Sequence, residues 1–396
     1  MVKICFAVCF ALSFISNGFS QNVLTLEDAI SKALKNSKNI TAAGLAVLQQ
    51  KQLLKSSFNL PNPEVFIESP TGIFYTGSIT QSIEFPSVYK KQYQLQQQQI
   101  VLADKEKQLT EGEVKLQTSR LYLLLQYNVA LQQYLHVQDT IFERLSKAAG
   151  RQFDAGQIDY LQKTLAESQY GEIHNQTSQY RLAIANVQNQ LKYLIGLPAA
   201  FNVNPLDTNL AISDGIVAGD STAFTNNPSL LIINQEGIIA QKNIELQKAK
   251  SLPGLAFGYF NQGERSTPIG NRFRLGFTVP LWFGQFRSSI NAAKTNAEVM
   301  RQKAIGLQQQ LSLTFLQAQN ELDIYSQSIR YYKSTGIPKA QVMVETARRF
   351  FESGEIDYVA YLRNLNEAQS INLKYLEVVR NYSQALVELK YLNGTL

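Results

Sequence analysis

The sequence predicts a mainly α-helical chain with a β-barrel part, built as two equivalent halves. Three observations carry that prediction. Prolines fall in clusters that leave two long proline-free stretches. In two short segments the apolar period drops from helical spacing to two. The chain also repeats itself at an offset of 198 residues.

The first element is a targeting segment. Lys3 supplies a positive start, and Ile4 to Ile15 is an apolar run too short to span a bilayer as a helix. Gly18-Phe19-Ser20 then sets small residues at the −3 and −1 positions before Gln21, so residues 1–20 read as a cleaved secretory signal. Val8 precedes Cys9 where a lipoprotein needs a small residue, which argues against lipidation. Both cysteines, Cys5 and Cys9, leave with the signal. The mature chain then has no thiol chemistry and no disulfide, although its compartment permits disulfides.

The helices follow from the prolines. Ten of the eleven fall at 61–86 and 198–280, and only Pro338 lies beyond them. Proline breaks helix interiors, so Ser87–Leu197 and Leu281–Ile337 are free to form very long helices. Leu121, Leu124, Leu131, Leu135, Phe142 and Leu145 recur in a 3-4-3-4 pattern, with Asn128 and Gln138 in the gaps. That is a heptad seam with polar interruptions, the pattern of a coiled coil.

The repeat supplies the symmetry. Arg151-Gln-Phe153-Asp-Ala-Gly156-Gln-Ile158-Asp159-Tyr160 returns as Arg349-Phe-Phe351-Glu-Ser-Gly354-Glu-Ile356-Asp357-Tyr358, identical at six of ten positions. Leu191-Lys192-Tyr193-Leu194 returns as Leu389-Lys390-Tyr391-Leu392 at the same offset. A period of 198 residues is too long for a solenoid, so it marks a duplication. Within the motif, Gly156 and Gly354 suit the left-handed position that ends a helix. Asp159 and Asp357 suit the N-cap of the next helix, and Gln162 stands at capping-box spacing from Asp159. Each motif therefore reads as a tight turn between two long antiparallel helices.

Strands are expected at about 61–86 and about 253–284. Phe273, Leu275, Phe277 and Val279 alternate with Arg272, Arg274, Gly276 and Thr278. Leu255, Phe257 and Tyr259 alternate in the same way, as do Ile79, Ile83 and Phe85, with Gln81 the exception. Val65 and Ile67 stand between Glu64, Phe66 and Glu68. Alternation over about ten residues behind an export signal is how transmembrane strands read. About four strands per chain cannot close a barrel that needs about eight, and open edges do not persist in lipid. Several chains must then share one barrel. Glu64, Glu68, Glu84, Arg272 and Arg274 would line its wet interior.

Composition narrows the chemistry. Of 396 residues 45% are hydrophobic and 17% charged, with 37 basic against 31 acidic. The excess of +6 is spread along the chain without a dense basic block, so nucleic acid is not expected as a partner. Only two histidines occur, His136 and His174, far apart and without companions to complete a metal site. No nucleophile elbow, phosphate loop or dinucleotide fingerprint follows a strand. No catalytic, cofactor or metal residue is expected.

Taken together, the residues resemble the TolC-type outer-membrane efflux channels. The likeness is carried by Asn226-Asn227-Pro228-Ser229-Leu230, Val279-Pro280-Leu281-Trp282-Phe283-Gly284 and Ile337-Pro338. Gln81-Ser-Ile-Glu84-Phe-Pro86, and the stretch from Ser353 through Gly394, lean toward members that accompany heavy-metal (Cus/Czc-like) pumps. The resemblance implies a homotrimer whose three chains form a 12-stranded barrel in the outer membrane, continued into the periplasm by an α-helical barrel. It implies a first repeat at 21–197, an equatorial connecting segment at 198–227 and a second repeat at 228–396. A periplasmic adaptor, an inner-membrane RND-type pump and outer-membrane lipid would be the partners. The tip would be closed by the turns carrying Gly156, Asp159, Gln162, Gly354, Asp357 and Arg363. Many relatives carry an acidic ring two turns beyond the motif glycine. Here Gln162, Ala360 and Arg363 take those places, which puts a cation-selective ring in doubt. The role implied is a passive exit duct for small molecules or metal cations. Type I protein secretion through the same duct, and a periplasmic coiled-coil scaffold, are the alternatives.

Overall fold

The computed structural model describes residues 23–69, 72, 75–197, 201–210, 224–261, 268–281 and 283–396. The signal segment and much of the 198–227 connection lie outside the described residues. The order is β1 (Val23–Leu24), α1 (Leu26–Asn36), α2 (Lys38–Lys55), β2 (Glu64–Glu68), β3 (Thr76–Ile83), α3 (Pro86–Asp154) and α4 (Tyr160–Ile195). There follow β4 (Asn202–Val203), α5 (Pro228–Lys250), β5 (Gly254–Phe260), β6 (Phe273–Thr278), α6 (Phe283–Tyr331), α7 (Ile337–Glu352) and α8 (Tyr358–Leu392). The chain is mainly helical with one antiparallel sheet, β2-β3-β5-β6.

Helix α3 has 69 residues, on the order of 100 Å at 1.5 Å per residue. No single core could hold a rod of that length. The apolar contacts divide instead into clusters along it. One joins α1, α3 and α4 through Ala29, Ala33, Leu125 and Leu191. A second joins α5, α6 and α8 through Leu230, Phe315, Ile329 and Leu389. Leu191 and Leu389 are repeat equivalents, so each half builds its own cluster from the same positions. At the far end the halves share a third cluster, where Ala149 and Ala347, again 198 apart, pack with Phe142, Ile173, Tyr358 and Leu362. Along the heptad seam Leu131, Leu135 and Phe142 are buried, and the polar Asn128 is buried with them.

The two halves end alike. Helix α4 stops at Gly196 with φ +67°, and Asn36 Nδ2 donates to Ile195 O at 2.5 Å. Helix α8 stops before Gly394 with φ +69°, and Asn227 Nδ2 donates to Leu392 O at 3.0 Å. In each case an asparagine at the end of one helix, the last residue of α1 or the N-cap of α5, satisfies an orphan carbonyl at the end of another.

Pro338 does not interrupt the second long rod. Tyr332–Gly336 form a π-helical turn between α6 and α7, and the Ile337 N–H reaches back five residues to Tyr332 O. A proline ring collides with the carbonyl four residues before it. The wider turn relieves that collision, so the rod runs on to Glu352 rather than ending near Ile337.

Residues 201–210 strap the halves together. β4 pairs in parallel with β1, Val23 opposite Asn202. The Tyr122 hydroxyl donates to Leu24 O at 2.8 Å and accepts from Asn204 N at 3.3 Å. Gln126 Nε2 donates to Asn204 O at 2.9 Å. From the other half the Tyr375 hydroxyl donates to Thr208 O at 2.6 Å, and Lys333 Nζ to Leu210 O at 3.2 Å.

Candidate functional site

Two places gather the residues singled out from the sequence: the four-stranded sheet and the two helix turns.

In the sheet, Val65 is opposite Ile79, Ile79 opposite Tyr259, and Tyr259 opposite Phe273. Side chains alternate along strands, so one row assigns every residue to a face. One face carries Val65, Ile67, Ile79, Ile83, Leu255, Phe257, Phe273, Leu275 and Phe277, broken only by Gln81 and Gly77. The other carries Glu64, Glu68, Thr76, Ser78, Thr80, Ser82 and Arg274, with Phe66, Ala256 and Phe260 among them. The apolar face is exposed in the single chain, Ile67 at 75% and Phe277 at 66%. A contiguous exposed apolar face of this kind marks a surface for protein or membrane contact. On the polar face Gly258 stands opposite Arg274. With no side chain there, Arg274 lies down over the Phe260 ring, 4.0 Å from its centroid.

Glu64 and Glu68 begin and end β2. Glu84 lies one residue past β3, exposed, and its N–H donates to the Tyr89 hydroxyl at 3.0 Å. Arg272 is not in a strand. It ends a 3-10 turn at Ile269–Arg272 and reaches the Tyr259 hydroxyl at 3.4 Å and Asn261 Oδ1 at 3.3 Å. Tyr259 belongs to the apolar face, so Arg272 is separated from Arg274 at the rim of the sheet.

At the turns, Gly156 and Gly354 have φ +72° and +78°. Gln157 N donates to Gln152 O and Gly156 N to Phe153 O, and the equivalents Glu355 N to Phe350 O and Gly354 N to Phe351 O repeat the pattern. This paired closure is the Schellman motif, which needs the left-handed residue that glycine supplies. Asp159 Oδ1 accepts from Gln162 N at 2.7 Å, and Gln162 Oε1 accepts from Asp159 N at 3.4 Å, completing a capping box. Gln162 is thereby committed to the turn. Asp357 Oδ1 accepts from Ala360 N at 2.7 Å. Arg363 is exposed, about one turn into α8.

The sequence reading missed an aromatic lock on each turn. Phe153 meets Tyr160 edge-to-face at 5.9 Å, and Phe351 meets Tyr358 at 5.7 Å, repeat equivalents with one geometry. The repeated Phe and Tyr of the motif were the available signal. The surroundings differ. Tyr160 is 69% exposed, whereas Tyr358 is buried and Phe351 also stacks on Tyr361 at 4.8 Å. Burial pushes the Tyr358 phenol up to about 12.

His136 is exposed, and His174 Nδ1 lies 3.3 Å from Asp139. Among the described residues no group of three His, Cys, Asp or Glu is placed to hold a metal ion. No described helix is long and apolar enough to cross a membrane.

Residues 221–395 match the model of the outer membrane efflux protein family. The chain carries that match over 175 of its 396 residues, in its second half. It is an outer-membrane protein and not an enzyme. No curated protein matches it by sequence. A membrane protein from Pseudomonas aeruginosa shares its fold with a TM-score of 0.77, 13% identity, and 93% of this chain and 90% of that chain covered. The VceC outer membrane protein of Vibrio cholerae gives 0.75 at 11% identity, covering 93% and 96%. CusC, described for folding and transmembrane channel formation, gives 0.73 at 15% identity, covering 93% and 91%. These likenesses extend the fold across both halves of the chain.

Proposed function

We propose that this efflux protein is the passive exit duct of a tripartite system, a homotrimer that carries small molecules or metal cations from the periplasm to the outside. The observation that supports this best is the sheet. One face is apolar on all four strands apart from Gln81 and Gly77, and the other carries the polar residues of β2, β3 and β6 beside Phe66, Ala256 and Phe260. Among the described residues β2 and β6 each have one neighbour. Unpaired strand edges have no water to satisfy them in lipid, so another chain must cover them. Three chains closing head to tail, β6 of one on β2 of the next, keep every pair antiparallel and make a barrel of twelve strands. Its polar face, with Glu64, Glu68 and Arg274, lines the pore, and Arg272 and Glu84 stand near the sheet's ends.

Below the barrel, helices on the order of 100 Å reach into the periplasm and end at the turns around Gly156 and Gly354. A periplasmic adaptor docks there, and an RND-type inner-membrane pump supplies the energy. Opening follows from coiled-coil packing that has more than one arrangement. The two repeats of each chain, at 21–197 and 228–396 about a belt at 198–227, give the tube its wall. Conductance in planar bilayers tests this reading: purified trimers should open steps of ion current, and a chain that stays monomeric and conducts nothing overturns it.

A further inference from the structure

We infer that the seam between protomers is charge-matched, Glu68 on the edge strand of one chain pairing with Arg274 on the edge strand of its neighbour. The inference rests on the channel reading, since it takes the occupant of each open edge to be a second copy of this chain. Strand β2 carries only acidic charge on its polar face, at Glu64 and Glu68, and β6 only basic charge, at Arg274. Among the described residues neither carboxylate has an ion-pair partner within its own chain. Arg274 Cζ lies 4.0 Å from the Phe260 ring centroid, a contact with the ring face that does not consume its N–H donors.

Geometry brings the charges together. Glu64, Thr80, Gly258 and Arg274 form one row across the sheet. Gly77 O accepts from Asn261 N at 2.9 Å, so the carbonyls of residues on the apolar face of β3 point toward β5. With the apolar face outward, that fixes the strand order as right to left seen from lipid. The right-handed coil of a barrel then carries the row toward the loop end of β2, where Glu68 stands. A strand tilt of about 35–45°, with about 4.8 Å between strands and about 3.3 Å per residue, offsets the row by about four to six residues per protomer. An offset of four sets Arg274 directly opposite Glu68 of the partner subunit. An offset of six leaves them diagonal, still within reach of an arginine. Two β2 edges, or two β6 edges, would instead bring like charges together, so the pairing also selects against wrong closure.

Charge reversal tests the seam. Glu68→Lys and Arg274→Glu should each lower the yield of detergent-resistant trimer by about tenfold, summed over three seams. The combined Glu68→Lys/Arg274→Glu chain should restore it. If both single variants trimerise like the wild type, or the combined variant is worse than either, the seam is overturned while the trimer stands. A wild-type chain that never trimerises removes the channel reading itself. A second measurement does not depend on yield. Beyond residue 9 the chain has no cysteine, so Glu68→Cys/Arg274→Cys should give covalent trimers on non-reducing gels, and Glu68→Cys with Thr278→Cys much less if the offset is four. No interchain link from Glu68→Cys/Arg274→Cys, in a chain that still trimerises, overturns the assignment.

Discussion

Replacing Tyr358 with phenylalanine should stabilise the helical tip. Tyr358 is 3% exposed, and its hydroxyl has no hydrogen-bond partner among the described residues. An unsatisfied buried hydroxyl costs about 1–3 kcal/mol in lost hydration. Phenylalanine removes that group while keeping the ring against Phe351. We therefore expect Tyr358→Phe to gain about 1 kcal/mol near pH 7. The pH dependence sharpens the test. Burial raises the folded-state phenol from about 10 to about 12. The folded chain then keeps its proton where the unfolded chain has lost it. The stabilisation linked to this proton is complete below pH 10 and disappears as pH climbs toward 12. Two units at 1.36 kcal/mol each amount to up to about 2.7 kcal/mol. Tyr134, pushed up to about 12 by its own burial, keeps part of the alkaline loss in the variant. Thermal unfolding in detergent, followed by circular dichroism from pH 7 to 12, reads both effects. A variant about 1 kcal/mol less stable at pH 7, with an unchanged alkaline slope, would refute the reasoning and mean that the hydroxyl is satisfied in the assembly.

Other expected outcomes follow from the same geometry. Gly354→Pro forces a negative φ where +78° is needed and removes the N–H that closes on Phe351 O, costing roughly 3 kcal/mol or more at the tip. Limited proteolysis should then cut near residues 349–358 while barrel insertion persists, and an uncut variant with wild-type efflux would count against the turn. Asp159→Ala should cost about 1 kcal/mol through the lost capping box, read as a lower melting temperature. Leu275→Arg, on the apolar face, should cost about 2–4 kcal/mol if it lies near the bilayer midplane and reduce outer-membrane yield, whereas Thr80→Arg on the polar face should insert normally. Equal yields from the two would mean that the faces are assigned wrongly. Gly394→Ala places a Cβ against the Asn226 carbonyl in a left-handed backbone, so it should lower thermal stability, measured by the same melts.

Much of the fold was legible because its periods are extreme. No proline interrupts 87–197, and α3 fills more than half of that stretch as one helix. The alternation at 273–279 gave β6, and its neighbours were signalled in the same way. What stayed hidden depended on tertiary partners. Nothing in Tyr332-Lys-Ser-Thr-Gly336 announces a π turn, because the turn answers a proline two residues later together with packing against Tyr375. The strap of residues 201–210 was invisible because Tyr122, Gln126, Lys333 and Tyr375 act from helices more than 60 residues away in sequence. Arg272 shares the parity of Arg274, yet the strand begins only at Phe273, so alternation could not place it.

The two tip turns share a backbone but not an environment. One leaves its tyrosine in solvent and the other buries it. In a ring of three chains the turns alternate around the rim as two kinds of contact. A docking protein shaped for one kind meets a different surface at the next position. Identical copies must then bind in two poses or occupy every second place. The duplication thus hands any partner a threefold surface, although the backbone alone suggests a sixfold one.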